Sequence, residues 1–212
     1  MSLFAPLSSL SITLAATGVT ANPLLWYVTR AAATSAYITL SATVIIGLFR
    51  SLARVSRLRN ARILWLMDET HPWLAVLTVG LVALHLISLI FDPLIPFSLL
   101  NVLLPFDQPY RPLAVDLGVL ALYGLAVVWL SSWVKRRITY ARWRALHYTS
   151  FAAFALVTFH GIFAGSDSAE PWMWLVYVGV SGVVGLLTLA RIFWPEQQQA
   201  SASRVAPARR GR

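Results

Sequence analysis

The sequence predicts an all-α membrane protein, a bundle of five transmembrane helices, or six if residues 1–21 also cross. Three observations predict it. Of 212 residues, 58% are hydrophobic and 12% charged, with a mean hydropathy of +0.69, far from an average soluble domain. Five stretches meet the requirement of roughly 20 apolar residues per spanning helix. The basic residues sort by loop instead of gathering into one patch, which removes the nucleic-acid reading that a net charge of +9 invites.

The first span runs over about 24–49, introduced by Asn22-Pro23 with proline at the first helical position. It is rich in small residues (Ala31, Ala32, Ala33, Ser35, Ala36, Ser41, Ala42), as expected where helices pack closely. The second runs from about His71 to Phe91 and stops at Asp92-Pro93. The third covers about Leu113 to Val134. The fourth covers about Trp143 to Phe163, before Gly165 and the polar turn Ser166-Asp167-Ser168. The fifth covers about Pro171 to Trp194, before Pro195, with Gly179, Gly182 and Gly185 again suggesting close packing. Trp26, Trp133, Trp143, Trp172 and Trp194 fall at span ends, where tryptophan anchors a helix to the interface. Residues 1–21 are uncharged and moderately apolar and read as a non-spanning lead. They lack the basic n-region of a secretory signal peptide. The domain proper is 22–195. Residues 196–212 are rich in Gln, Ala, Ser and Arg and read as a disordered basic tail able to touch anionic lipid.

Charge orients the spans. Arg50, Arg54, Arg57, Arg59 and Arg62 follow the first. Lys135, Arg136, Arg137, Arg142 and Arg144 join the third to the fourth. Arg191, Arg204, Arg209, Arg210 and Arg212 close the fifth. These are fifteen of the seventeen basic residues, leaving Arg30 and Arg111 for the other side. The positive-inside rule makes the Arg-rich side cytoplasmic. The expectation is a multi-pass protein of the cell membrane, with five spans placing the N-terminus outside and the C-terminus inside. The absence of cysteine excludes disulfides, thiolate haem ligation, iron–sulfur clusters and a cysteine nucleophile.

The chemistry rests on four histidines, His71 and His85 on the second span, His147 and His160 on the fourth. Imidazole in hydrocarbon is expensive and usually functional. A single one reads equally well as a helix–helix hydrogen bond, but two matched pairs do not. The spacings of 14 and 13 residues separate each pair by roughly 20 Å along its helix. Both helices run outward, so His71 and His147 share an inner depth, and His85 and His160 an outer one. Two imidazoles at each depth suit axial ligation of a haem between the helices. The fold class becomes a bundle enclosing two stacked haems b. Fourteen residues make four whole turns at 3.5 per turn, so His71 and His85 share a stripe. Thirteen leave His160 roughly 100° from the stripe of His147, through a distorted helix or a different azimuth.

A histidine metal cluster would need its ligands at one depth. A proton relay would add carboxylates, and none lies at the centre of a span. Asp116, one turn inside a helix end, reads as a helix-start residue facing headgroups. No Gly-rich dinucleotide loop follows a strand.

These residues resemble the ferric reductase-like transmembrane domain family, whose relatives include the membrane halves of ferric reductases and NADPH oxidases. The likeness lies in the 14 and 13 histidine spacings and in local strings. Those are Trp26-Tyr27-Val28-Thr29-Arg30-Ala31, Leu103-Leu104-Pro105-Phe106, and Arg142-Trp143-Arg144-Ala145-Leu146-His147 leading through Ser150-Phe151 to His160-Gly161. It covers about 22–195. It implies b-haem ligation by His71 with His147 and by His85 with His160, and electron flow between an inner and an outer haem. It also implies that Arg30, two turns inside the outer end of the first span, meets an outer-haem propionate, where the plain alternative is snorkelling to headgroups. Arg50, Arg142 and Arg144 are propionate candidates whose first role is topology, and Arg111 could meet a propionate or a partner.

The 212 residues hold no counterpart of the FAD and NAD(P)H domains of full-length reductases. The expected role is therefore an oxidoreductase or electron-transfer subunit, taking electrons from a flavoprotein or quinol. The chain is also similar to the haem membrane subunit of periplasmic methionine sulfoxide reductase, which makes a periplasmic reductase a possible partner. A non-redox membrane protein with structural histidines is the competing class.

Overall fold

A computed structural model describes residues 24–55, 60–93, 95 and 97–205. Residues 1–21, read as a non-spanning lead, lie outside the described residues, as do 206–212 of the tail. The helices are α1 (Leu24–Val55), α2 (Ala61–Ile90), α3 (Leu99–Leu103), α4 (Pro112–Trp133), α5 (Tyr140–His147), α6 (Thr149–Ala164) and α7 (Pro171–Val205). Five segments are long and apolar enough to cross a membrane, α5 and α6 together making the fourth. The protein is an all-helical, multi-pass membrane protein. Its outward faces agree: Leu113, Trp133 and Leu175 are each at least three-quarters exposed, which suits side chains whose solvent is lipid.

Local signals set the helix ends. Asn60 caps α2, its Oδ1 accepting from the N–H groups of Arg62 (3.0 Å) and Ile63 (3.4 Å). α2 therefore begins ten residues before the hydropathy signal at His71, because a good cap outweighs the polar residues of its first turns. α1 likewise continues to Val55. Pro72 sits inside α2, where it removes one backbone donor immediately after His71. Thr139 caps α5, Pro112 occupies the first turn of α4, and Gly165 ends α6. Composition predicts disorder from residue 196, yet α7 carries helical backbone to Val205, over a run of Glu, Gln and Ala with good helix propensity.

α1 is the central post. It packs along α2 and also meets α6 and α7, while α4 packs against α6. α2 and α6, the helices carrying the outer histidines, are not among the packed pairs. The α1–α2 seam is a polar ladder. Thr29 Oγ1 donates to Ser88 Oγ (2.8 Å), and Thr78 Oγ1 to Thr39 Oγ1 (3.0 Å). Ala32, Ala36 and Ser41 are buried along α1, as its small-residue content predicts. On its other side Tyr37 stacks on Phe154 (centroids 6.2 Å) and meets Tyr177 edge-on (5.1 Å). Gly161 admits Tyr177, whose hydroxyl oxygen would lie 2.5 Å from a β-carbon there. The glycines of α7 behave otherwise. A β-carbon at Gly179, Gly182 or Gly185 would meet nothing within 4 Å, so the close packing expected of them does not occur among the described residues.

The loop between α2 and α4 is folded back on itself. Ser98 and Asn101 form a capping box on α3, and Gln108 Nε2 donates to the carbonyls of Asn101 and Leu104 at its other end (2.9 Å each). Phe106 takes a φ of 81°, unusual for an aromatic residue, and Asp116 Oδ1 accepts its N–H at 2.8 Å. Asp116 is buried, so it faces inward as a loop anchor and not outward to headgroups. A carboxylate in that setting needs a donor, and the strained Phe106 turn supplies one. Asp116→Ala should lower stability by about 1 kcal/mol, the cost of removing the acceptor of a part-buried donor. Asp116→Asn, which keeps an acceptor oxygen, should lose less. Thermal unfolding in detergent micelles checks the order.

Candidate functional site

Three of the four histidines are held by a neighbouring helix. His71 Nδ1 lies 3.0 Å from the carbonyl oxygen of Thr43, and His85 Nδ1 3.1 Å from that of Thr29, both on α1. His160 Nδ1 lies 2.8 Å from the carbonyl oxygen of Ala114 on α4. A carbonyl can only accept, so Nδ1 carries the proton in all three bonds. In a neutral ring that leaves Nε2 as the lone pair, turned away from the seating helix. Thr29 and Thr43 are fourteen residues apart, as are His71 and His85. The antiparallel α1–α2 pair thus repeats one contact after four turns at about 3.5 residues per turn. The expectation that His71 and His85 share one stripe is met.

Across the bundle, His71 faces His147 with ring centroids 6.3 Å apart and planes inclined by 59°. Metal–imidazole bonds of about 2.0–2.1 Å put two imidazoles on opposite sides of one ion roughly 6 Å apart, centroid to centroid. The pair therefore has the spacing of two axial ligands. His147 differs from the other three. Its Nδ1 is buried without a hydrogen-bond partner among the described residues, and its ring stacks on Trp143 (5.0 Å, 25°). The helix breaks immediately after it. Tyr148 ends α5 and precedes α6, with the Phe151 N–H bonded three residues back to the Tyr148 carbonyl at 3.1 Å. The thirteen-residue step is thus taken up by a local distortion. In addition, His160 turns toward α4, which His147 does not.

His85 and His160 line one apolar-walled cleft of about 1720 Å³, including its open mouth. α1, α2, α4 and α6 form its walls through residues such as Val82, Leu86, Val119 and Val157. The opening exists because α2 and α6 stand apart. Gly118 lines the cleft beneath His160. The cleft has the composition expected of a cofactor site, apolar walls with few polar groups. Among the described residues, no three His, Asp or Glu side chains converge on one point.

Charges stand at the two ends. Arg30 lines the cleft mouth, yet its guanidinium is already engaged, ion-paired to Asp167 and lying 4.2 Å over the Trp26 ring. At the Arg-rich end Arg50 pairs with Asp68. Arg111 Nη1 donates to the Phe163 carbonyl at 2.7 Å, tying the start of α4 to the end of α6. Sequence reasoning missed the carbonyls of Thr29, Thr43 and Ala114, and missed Asp167. The fourteen-residue repeat of Thr29 and Thr43 was the available signal for the first two. Nothing local marks Ala114 or Asp167.

A family model described as "Ferric reductase like transmembrane component" matches residues 32–158. That range includes His71, His85 and His147 and stops two residues before His160. No curated protein and no solved structure matches the chain.

The Arg30–Asp167 pair is partly exposed, with side chains 32% and 18% accessible, so its worth lies between a surface and a buried pair. Arg30→Gln should destabilise by about 1–2 kcal/mol, because it leaves Asp167 uncompensated. Adding Asp167→Asn should recover part of that loss. A double-mutant cycle of unfolding temperatures measures the coupling.

Proposed function

The chain belongs to the ferric reductase-like transmembrane family, and we propose that it is a di-haem b-type protein moving electrons across the membrane. The observation that carries this reading is the histidine arrangement. Three rings have Nδ1–H committed to a carbonyl and Nε2 free. Two rings stand 6.3 Å apart, and the other two share an apolar cleft. A merely structural histidine needs the first feature and has no use for the others.

In this reading His71 and His147 hold the haem nearer the Arg-rich end, and His85 and His160 hold the outer one. Bound haem supplies a reversible one-electron Fe(III)/Fe(II) couple at each depth. The chain's residues do the rest. The carbonyls of Thr43, Thr29 and Ala114 fix the tautomer of their histidines and raise ligand basicity. The apolar cleft walls keep water from the outer site. Arg30, ion-paired to Asp167 at the cleft mouth, would be the cation that holds a propionate of the outer haem. The haem domain is 22–195, flanked by the lead 1–21 and the tail 196–212. The Arg-rich end is cytoplasmic by the positive-inside rule, placing the N-terminus outside in the cell membrane. In this reading a flavoprotein or quinol is the redox partner that delivers or receives the electrons.

A dithionite-reduced minus oxidised spectrum of the purified protein should show a b-type α-band, with pyridine haemochrome giving about two haems per chain. His85→Ala should remove one haem and leave the other. A wild-type protein without the α-band would sink the haem reading, and retention of both haems in His85→Ala would break the pairing by depth.

A further inference from the structure

The three seated histidines share more than an acceptor carbonyl. In a helix, the side chain of residue i+4 lies over the carbonyl of residue i, because every Cα–Cβ bond tilts toward the N-terminus. A ring that reaches that carbonyl from another helix must pass over residue i+4. For His71, which reaches Thr43, that residue is Gly47. For His160, which reaches Ala114, it is Gly118. For His85, which reaches Thr29, it is Ala33.

The space is measurable at both glycines. A β-carbon on Gly118 would lie 2.7 Å from both Cε1 and Nδ1 of His160 and 3.1 Å from its Cγ. On Gly47 it would lie 3.1 Å from Cε1 and 3.5 Å from Nδ1 of His71. The histidine ring is thus packed against bare backbone at Gly118 and nearly so at Gly47. The seat costs no helical hydrogen bond, since the carbonyl's second lone pair takes the imidazole. Glycine inside a helix is ordinarily unfavourable by up to about 1 kcal/mol, so its presence at both seats needs a reason. Other glycines provide the contrast. Gly124 on α4 would meet only Ala153 (3.0 Å), and Gly179 nothing at all.

We infer that Gly47 and Gly118, with Ala33 at the equivalent place, are positioning residues whose small size sets the tautomer and orientation of His71, His160 and His85. The haem consequence rests on the di-haem reading above; the seat itself does not. His147 stands outside the rule, held by Trp143 in place of a carbonyl.

Two measurements on the full chain in detergent test this. The first reads the seats without haem. Imidazole ¹⁵N shifts of the haem-free protein should report the Nδ1–H tautomer for three histidines and a tautomer mixture for His147. Gly118→Val should abolish the fixed tautomer of His160 alone. The second reads haem. Gly118→Val should lower haem content from about two to about one per chain and reproduce the difference spectrum of His85→Ala. Gly47→Val should reproduce that of His71→Ala. Gly118→Ala, the milder change, should keep both haems and shift the midpoint potential of one. Gly124→Ala should leave potentials and spectra at wild-type values even if it lowers stability, and Gly179→Ala should change nothing. An unaltered His160 tautomer in Gly118→Val would overturn the inference. So would equal haem loss from Gly118→Val and Gly124→Val, which would make the effect one of general packing. A wild-type chain that binds no haem would instead defeat the functional reading, with the tautomer experiment still deciding the seats.

Discussion

A protonated imidazole nitrogen buried among membrane helices must find an acceptor, because lipid offers none. In this protein the acceptors are carbonyls of neighbouring helices, Thr29 and Thr43 on α1 and Ala114 on α4. Much of the fold follows from reaching them. A side chain reaches the backbone of another helix only where the surfaces between are small, hence Gly47, Gly118 and the alanines along α1. The α1–α2 register is then fixed twice, once per histidine, and the Thr29–Ser88 and Thr39–Thr78 hydrogen bonds lie in the same seam. A slip along the helices would strand both imidazoles and both hydroxyl pairs together, which makes the register cooperative.

The same economy explains the cleft in the middle of the bundle. α2 is bound to α1 and α6 to α4, so their histidines face each other across a gap without direct helix packing. An all-apolar bundle would close such a gap to gain dispersion contacts. Here the aromatic group of Tyr37, Phe154 and Tyr177 props α1, α6 and α7 on one side, and Arg111 joins α4 to α6 at the outer end. The opening is left by the packing around it.

Several charged groups at the ends of this arrangement are partnered. Arg30 with Asp167, Arg50 with Asp68, and Asp116 with the Phe106 N–H each satisfy a group too costly to leave alone at that depth. Arg30 and Asp167 also stand at the mouth of the cleft, so the pair that stabilises the outer end also sets its electrostatics.

Composition and pattern determined the solvent, the five spans, the sorting of basic residues and the placing of four histidines on two spans, because hydropathy and charge act residue by residue. The fourteen-residue step of His71 and His85 was legible for the same reason, being a property of one helix. What the sequence could not supply were relations between helices. The start of α2 at Ala61 depended on a cap, and the inward turn of Asp116 on a strained loop ten residues upstream. The three glycines of α7 and the two seat glycines look alike in sequence, yet only Gly47 and Gly118 lie beneath a ring from another helix. The break after His147, the carbonyl seats and the pairing of Arg30 with Asp167 were decided by tertiary structure. Each is set by which backbone or charge comes within about 3 Å across a helix boundary, and no local pattern encodes that.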